Sequence, residues 1–73
     1  MQIQAADTIA KIVEISAQST ISFQDAIERG VARATVTLKN VRGAWIKEQE
    51  LVIENGRIVA YRVIMKVTFV LDE

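Results

Sequence analysis

The sequence predicts an α+β fold of the order βαββ: a three-stranded antiparallel sheet on one helix, with the last strand central. A β-branched run near the N-terminus, a helical stripe of apolar residues and an Asn-Gly turn between two apolar runs predict it. The 73 residues suffice for one domain. We expect residues 1–7, which are polar and aperiodic, to form a flexible tail, and residues 8–73 to form that domain.

Charge and composition narrow the function classes. Nine basic and nine acidic residues balance, so we expect neither a nucleic-acid nor a membrane partner. The chain has no cysteine and no histidine, which excludes a disulfide framework and the usual zinc sites. No base-activated nucleophile or phosphate loop is visible, so we expect no enzyme activity. The N-terminus lacks the pattern of a signal peptide, and we expect a cytoplasmic protein.

The first predicted strand covers residues 8–16. Its side chains are dense in β-branched residues, which favour strands. These residues are Ile9, Ile12, Val13 and Ile15. We expect the polar stretch 17–21 to connect this strand to the helix.

The predicted helix begins at Ser22, which with Asp25 forms the weaker, Asp version of a capping box. Apolar residues then recur at spacings of three and four, typical of one helix face. These residues are Phe23, Ile27, Gly30, Val31, Ala34 and Leu38. A glycine on that stripe suggests close approach to the sheet. We expect Asn40 or Gly43 to end the element.

A two-residue turn, Asn55-Gly56, joins the last two predicted strands. Asn and Gly tolerate the positive φ angles of a type I′ turn, so the turn predicts a hairpin and its register. Without a bulge, the pairs are Ile53–Ile58, Leu51–Ala60, Gln49–Arg62, Lys47–Ile64 and Trp45–Lys66.

Alternation along the last strand predicts which face meets the helix. The predicted core row is Val59, Tyr61, Val63, Met65, Val67, Phe69 and Leu71. The opposite, outer face would then be half apolar, which predicts self-association through it. The same register places Glu48 and Glu50 on the core face, at a cost. Either a bulge near residues 47–50 or contacts of this strand with other subunits would resolve the conflict.

Three segments resemble the dodecins: "KIVEI" at 11–15, "SFQDAIERGVARA" at 22–34 and "IENGRIVAYRVIMKVTFVLD" at 53–72. With their spacing, they span residues 9–72. The resemblance implies a βαββ subunit of a hollow homododecamer that stores or buffers flavin without turnover. It further implies a tryptophan that stacks on the flavin ring and a glutamine that hydrogen-bonds its edge.

The chain departs from that family pattern at both flavin positions. The stacking tryptophan falls on Gly43 and the glutamine on Arg62, while Trp45 stands two residues later. The stretches 46–49 and 61–63 resemble a mycobacterial branch without the tryptophan, which is associated with calcium. The candidate flavin-binding residues are Trp45, Arg62, Gly43, Lys47 and Gln49.

Two interpretations of these residues remain open. Trp45 is either an anchor between subunits or a relocated platform for a flat ligand. Arg62 either contacts that ligand or forms an intersubunit salt bridge near Glu48 and Gln49.

The leading functional hypothesis is a shell that binds a small ligand, with FMN, FAD or riboflavin as the first candidate. The alternative is a structural or ion-binding shell for Ca²⁺ or Mg²⁺, held by carboxylates that symmetry brings together. The sequence locates no metal ligands.

Overall fold

The computed structural model describes residues 7–71 and has the predicted βαββ order. Strand β1 spans Ala10–Ser19, helix α1 Phe23–Thr37, strand β2 Val41–Glu54 and strand β3 Arg57–Val70. The sheet is antiparallel with the order β1-β3-β2, so the last strand is central, as predicted. The predicted tail lies outside the described residues except for Asp7.

The first strand is longer than predicted and is shifted toward the helix. The predicted connector begins with Ala17, Gln18 and Ser19, but these residues pair with Val63, Arg62 and Tyr61. Without these residues, the backbone N–H and C=O groups of β3 at Tyr61–Val63 would lack partners on this side. The hydrogen bonds of the ladder therefore outweigh the low strand propensity of the polar residues.

The helix begins as predicted, but a residue of β1 completes its cap. The Ser22 hydroxyl accepts a hydrogen bond from the Asp25 N–H at 2.9 Å. The Asp25 carboxylate does not reach back to the Ser22 backbone. Instead, the buried Ser19 hydroxyl donates to Asp25 Oδ2 at 2.6 Å and accepts from the N–H groups of Ile21 and Ser22. Ser19 therefore ties the end of β1 to the first helical turn.

The same carboxylate also receives the Arg29 guanidinium, whose Nε lies 2.6 Å from Asp25 Oδ2. The Ser19 hydroxyl and the Arg29 guanidinium hold the pKa of Asp25 below its usual value, although partial desolvation opposes them. An anionic side chain in the first turn also suits the helix dipole.

Small side chains let the helix approach the sheet closely. Its buried residues are Ala26, Gly30 and Ala34, one turn apart, of which Ala26 was not in the predicted stripe. A Cβ at Gly30 would overlap Cε of Met65 and lie 3.1 Å from Cβ of Ala17. The expected close approach at Gly30 is therefore confirmed.

The helix ends at Thr37, before both predicted end points. The Leu38 N–H still bonds to the Ala34 carbonyl at 2.9 Å, and Asn40 then takes a φ of 60°. A left-handed residue reverses the chain direction, which asparagine tolerates better than most residues. The Asn40 carbonyl accepts from the Val70 N–H, so β2 starts beside the end of β3, and Gly43 lies within β2.

The hairpin turn is confirmed, but the straight register is wrong in its middle. Asn55 and Gly56 have φ angles of 53° and 76°. The pairs Ile53–Ile58 and Trp45–Lys66 form as predicted. Between them, register shifts at Val52/Ile53 and Ile46/Glu48 offset the ladder by one residue. The central pairs are Val52–Ala60, Leu51–Tyr61, Glu50–Arg62, Gln49–Val63 and Glu48–Ile64.

The bulges exchange the two faces of β2. Direct partners on antiparallel strands share a face, so Glu48 and Glu50 join Ile64 and Arg62 on the face away from the helix. One of the two expected resolutions of the glutamate conflict, a bulge near residues 47–50, is therefore confirmed. Leu51 lies opposite Tyr61 on the helix-bearing face. The prediction that the outer face carries Leu51 is therefore wrong.

Only part of the hairpin is covered by the helix. A helix of 15 residues is about 22 Å long, whereas a 14-residue strand reaches about 47 Å. Met65, Val63 and Val67 are buried under the helix, and Tyr61 and Phe69 are half-buried. Val59 and Leu71, also predicted as core, are exposed because they lie toward the two ends of the strand.

Exposed apolar side chains cluster near the turn, beyond the helix. We call this cluster the apolar hairpin end. It consists of Leu51, Ile53, Ile58 and Val59, which are 41%, 59%, 52% and 38% exposed.

No helix within residues 7–71 combines the length and hydropathy needed to span a bilayer.

Candidate ligand-binding site

The outer face is the sheet surface away from the helix, and it holds most of the predicted site. Trp45 on β2 and Glu14 on β1 both lie directly opposite Lys66 on β3. Gly43 lies opposite Thr68, two residues farther along β3, so Gly43 and Trp45 share the outer face, as predicted. The Trp45 side chain remains 48% exposed.

A lysine contacts the tryptophan ring. Lys66 Nζ lies 5.9 Å from the centroid of the Trp45 ring, within the range of a cation–π interaction. The straight register already paired these two residues, but the candidate site did not include Lys66. The cross-strand pair was the signal that could have found it.

Open space borders the tryptophan at Gly43. A Cβ built on Gly43 meets no atom within 4 Å. The resemblance noted in the sequence implies a stacking tryptophan at this position. A flat molecule that approaches Trp45 along β2 therefore meets no side chain at Gly43.

The Arg62 guanidinium is held by two side chains of its own chain. Its Nε and one terminal nitrogen donate to Gln18 Oε1 at 3.0 and 2.9 Å, and the other terminal nitrogen donates to Glu50 Oε1 at 3.1 Å. The expected neighbours, Glu48 and Gln49, are replaced by Glu50 because of the bulge. Arg62 thus has its salt bridge within the subunit.

Lys47 is the extra residue of the bulge between Ile46 and Glu48. Its ammonium crosses to β1 and pairs with the Glu14 carboxylate at 3.2 Å. Because Glu14 lies opposite Lys66 on the outer face, Lys47 also contributes to that face. Both partners are about half exposed, so the pair adds little stability.

Two predicted site residues lie away from this cluster. Gln49 is opposite Val63 and therefore on the helix-bearing face, contrary to the predicted pairing with Arg62. Arg62 is on the outer face but four residues along β3 from Lys66, a separation of about 13 Å. The structure therefore brings together Trp45, Gly43 and Lys47, and adds Lys66 and Glu14.

The acidic and hydroxyl side chains of residues 7–71 form neither a metal-binding group nor a further ligand-binding cluster. Within residues 7–71, no three acidic side chains come together as a metal-binding group. Ser19 and Asp25 are hydrogen-bonded to each other in the helix cap.

The fold and this face define a class of protein: a small βαββ subunit that presents an aromatic and a cation on the sheet surface opposite its helix. A family model for dodecin matches residues 9–72, and the chain belongs to the dodecin family. The resemblance seen in the sequence is thereby confirmed.

Solved dodecin structures support the same assignment. The dodecin from Streptomyces davaonensis is 31% identical, with a TM-score of 0.86, over 93% of this chain and 100% of that chain. A mutant of the Thermus thermophilus dodecin is 30% identical, with a TM-score of 0.84, over 92% of this chain and 100% of that chain. The search of curated proteins found no match.

One similar structure is described by its metal. It is the calcium dodecin from Mycobacterium tuberculosis, described as having a novel calcium-binding site. It is 25% identical, with a TM-score of 0.78, over 89% of this chain and 93% of that chain.

Proposed function

We propose that the chain forms a non-enzymatic, cytoplasmic, dodecin-like homododecameric shell that binds or stores a small flat ligand. FMN, FAD or riboflavin is the first candidate. The observation that carries this proposal is the half-exposed Trp45 ring on the outer face, next to open space at Gly43. An indole ring offers a flat apolar surface on which an aromatic ligand stacks. Flavin binding in the dodecin family makes the isoalloxazine ring the first ligand to test.

The apolar hairpin end supports self-association. Complete burial of one such side chain contributes about 1.5–3 kcal/mol, so burying these four from their half-exposed state contributes about 3–6 kcal/mol. That is comparable to the total stability of about 4–11 kcal/mol expected for 73 residues. Subunit contacts therefore form through the apolar hairpin end, and the predicted self-association through the outer face stays a prediction.

A binding role suits the outer face better than catalysis. Four of its charged groups pair within their own chain: Arg62 with Glu50, and Lys47 with Glu14. Paired, half-exposed charges lack the desolvation that tunes a general acid or base.

A structural or ion-binding shell for Ca²⁺ or Mg²⁺ is the second candidate. It is favoured by the two departures at the flavin positions: Gly43 has no ring to stack, and Arg62 is occupied by Glu50 and Gln18. Arginine also cannot accept a hydrogen bond, unlike the glutamine of the family pattern. Because residues 7–71 of one chain hold no acidic cluster, a cation would need carboxylates from several subunits.

The test is a titration of ligand-stripped protein into riboflavin or FMN, followed by flavin fluorescence. Stacking on Trp45 predicts quenching that saturates at micromolar protein or below and is lost in Trp45→Ala. Val36→Ala is the matched control, because Val36 is 75% exposed on the helix and should leave quenching unchanged. Absence of quenching by the intact wild-type particle would refute flavin binding and leave the ion-binding or structural role.

A further inference from the structure

We propose that Lys66 makes the Trp45 site selective for flat ligands that carry an anionic group, so that a phosphate-bearing ring binds more tightly than the same ring without phosphate. This inference rests on the proposed ligand-binding role of Trp45 and specifies the ligand class. Lys66 touches the Trp45 ring, 5.9 Å from its centroid, and it would act as a specificity-determining residue of the site.

The charge of Lys66 is not matched by a carboxylate. Glu14 lies directly opposite Lys66 in the ladder, but its carboxylate pairs with Lys47 at 3.2 Å. On the other side of β3, the nearest carboxylate of β2 belongs to Glu48. This residue lies opposite Ile64 and forms no ion pair among the described residues. Lys66 is likewise without an ion pair in residues 7–71, and its ammonium lies over the indole ring of Trp45. Lys66 thus presents beside Trp45 an ammonium group that no carboxylate within residues 7–71 pairs with.

That charge affects neutral and anionic ligands differently. A ring that stacks on the face of Trp45 covered by Lys66 must displace the ammonium and its cation–π contact. A neutral ligand such as riboflavin offers the displaced ammonium only uncharged acceptors, its hydroxyl and carbonyl oxygens. A ligand with a phosphate or carboxylate near its ring receives it as a charge-assisted hydrogen-bond donor. The site therefore discriminates by the charge of the substituent, while the ring sets the basal affinity.

The experiment compares FMN with riboflavin, which share one ring and differ by the phosphate. Each is titrated with the oligomer at low and high salt, for the wild type, Lys66→Gln, Lys66→Arg and Lys39→Gln. Lys39 is an exposed lysine of the turn after α1, so its variant matches the change in net charge away from the outer face. Quenching of flavin fluorescence reports binding, and the chain's one tryptophan reports it independently.

At low salt, the wild type should bind FMN more tightly than riboflavin by a factor of about 1.4 to 5, the range of one exposed ion pair. Lys66→Gln should abolish this preference, whereas Lys66→Arg and Lys39→Gln should keep it. High salt should reduce the preference because the pair is solvent-exposed.

Equal binding of the two flavins by the wild type, or an unchanged preference in Lys66→Gln, would overturn the role of Lys66 and leave the Trp45 site standing. Failure of both flavins to bind would overturn the proposed function itself. The two failures are thus distinguishable.

Discussion

The two ends of the long hairpin have the same apolar composition but opposite environments. Under the helix, Val63, Met65 and Val67 are at most 1% exposed. Near the turn, Leu51, Ile53 and Ile58 are 41–59% exposed, although they also lie within β2 and β3. The difference is length, because the helix covers less than half of the reach of the strands.

The two halves of the hairpin therefore have different roles: the covered half stabilises the fold of the subunit, and the uncovered half is available for contacts with other subunits. The covered half holds the core cluster of Ala26, Val63 and Met65, which packs the helix on the sheet. The uncovered half lacks a partner within residues 7–71, and we propose that another subunit supplies it.

The largest expected effect comes from truncating a buried side chain in the covered half. Met65→Ala should lower the free energy of unfolding by about 2–5 kcal/mol, because it leaves a cavity beneath the helix. Val36→Ala, at an exposed helix position, should change it by about 0.5 kcal/mol or less. Denaturant unfolding at one fixed protein concentration measures both. Similar values for the two variants would contradict a core confined to the helix-covered half.

The next effect concerns how closely the helix approaches the covered half. Gly30→Leu should destabilise by about 1–3 kcal/mol or more, because its side chain meets Met65 and Ala17. Gly30→Ala should be nearly neutral. Its gain of about 1 kcal/mol in helix propensity offsets the displacement of the flexible Met65 methyl group. Denaturant unfolding of both variants is the measurement, and equal tolerance of Leu and Ala would show that the helix stands farther from the sheet.

The smallest effect lies at the boundary between the two regions, where Ser19 and Asp25 cap the helix. The pKa of Asp25 is lowered in the folded state, so its carboxylate stabilises the fold above the unfolded pKa of about 3.9. That contribution is lost as pH falls below 3.9 and through the lowered folded pKa. Asp25→Asn should therefore show a weaker loss of stability between pH 5 and 2 than the wild type, in denaturant midpoints measured across that range. An identical acid profile would argue against the Ser19–Asp25–Arg29 cluster.

Local patterns predicted the elements well, because each rests on short-range chemistry. The Asn55-Gly56 turn and the Ser22 cap need only neighbouring residues, and both formed as expected. The bulge at Lys47 depends on which side chains of two paired strands are buried and which are exposed, and this is not a local property. The two glutamates placed on the core face were its only warning in the sequence.

The sequence predicted the neighbours of each site residue only where it predicted the register of β2 and β3 correctly. Trp45 and Gly43 share a face in any register because they are two residues apart. The neighbours of Arg62 changed with the one-residue offset, so Gln49 was assigned wrongly to its side and Glu50 was missed. Lys66 was paired correctly but overlooked, because its contact with the ring depends on side-chain conformation and not on pattern.

The central claim, that the uncovered hairpin end is a subunit interface, is tested most directly by light scattering of the purified chain. The wild type should have a mass of about 97 kDa, twelve times the 8.1 kDa chain. Leu51→Ser combined with Ile58→Ser should yield smaller species, while Val36→Ser, exposed on the helix, should keep the full mass. A wild-type mass of one chain, or an unchanged mass in the double variant, would contradict the claim.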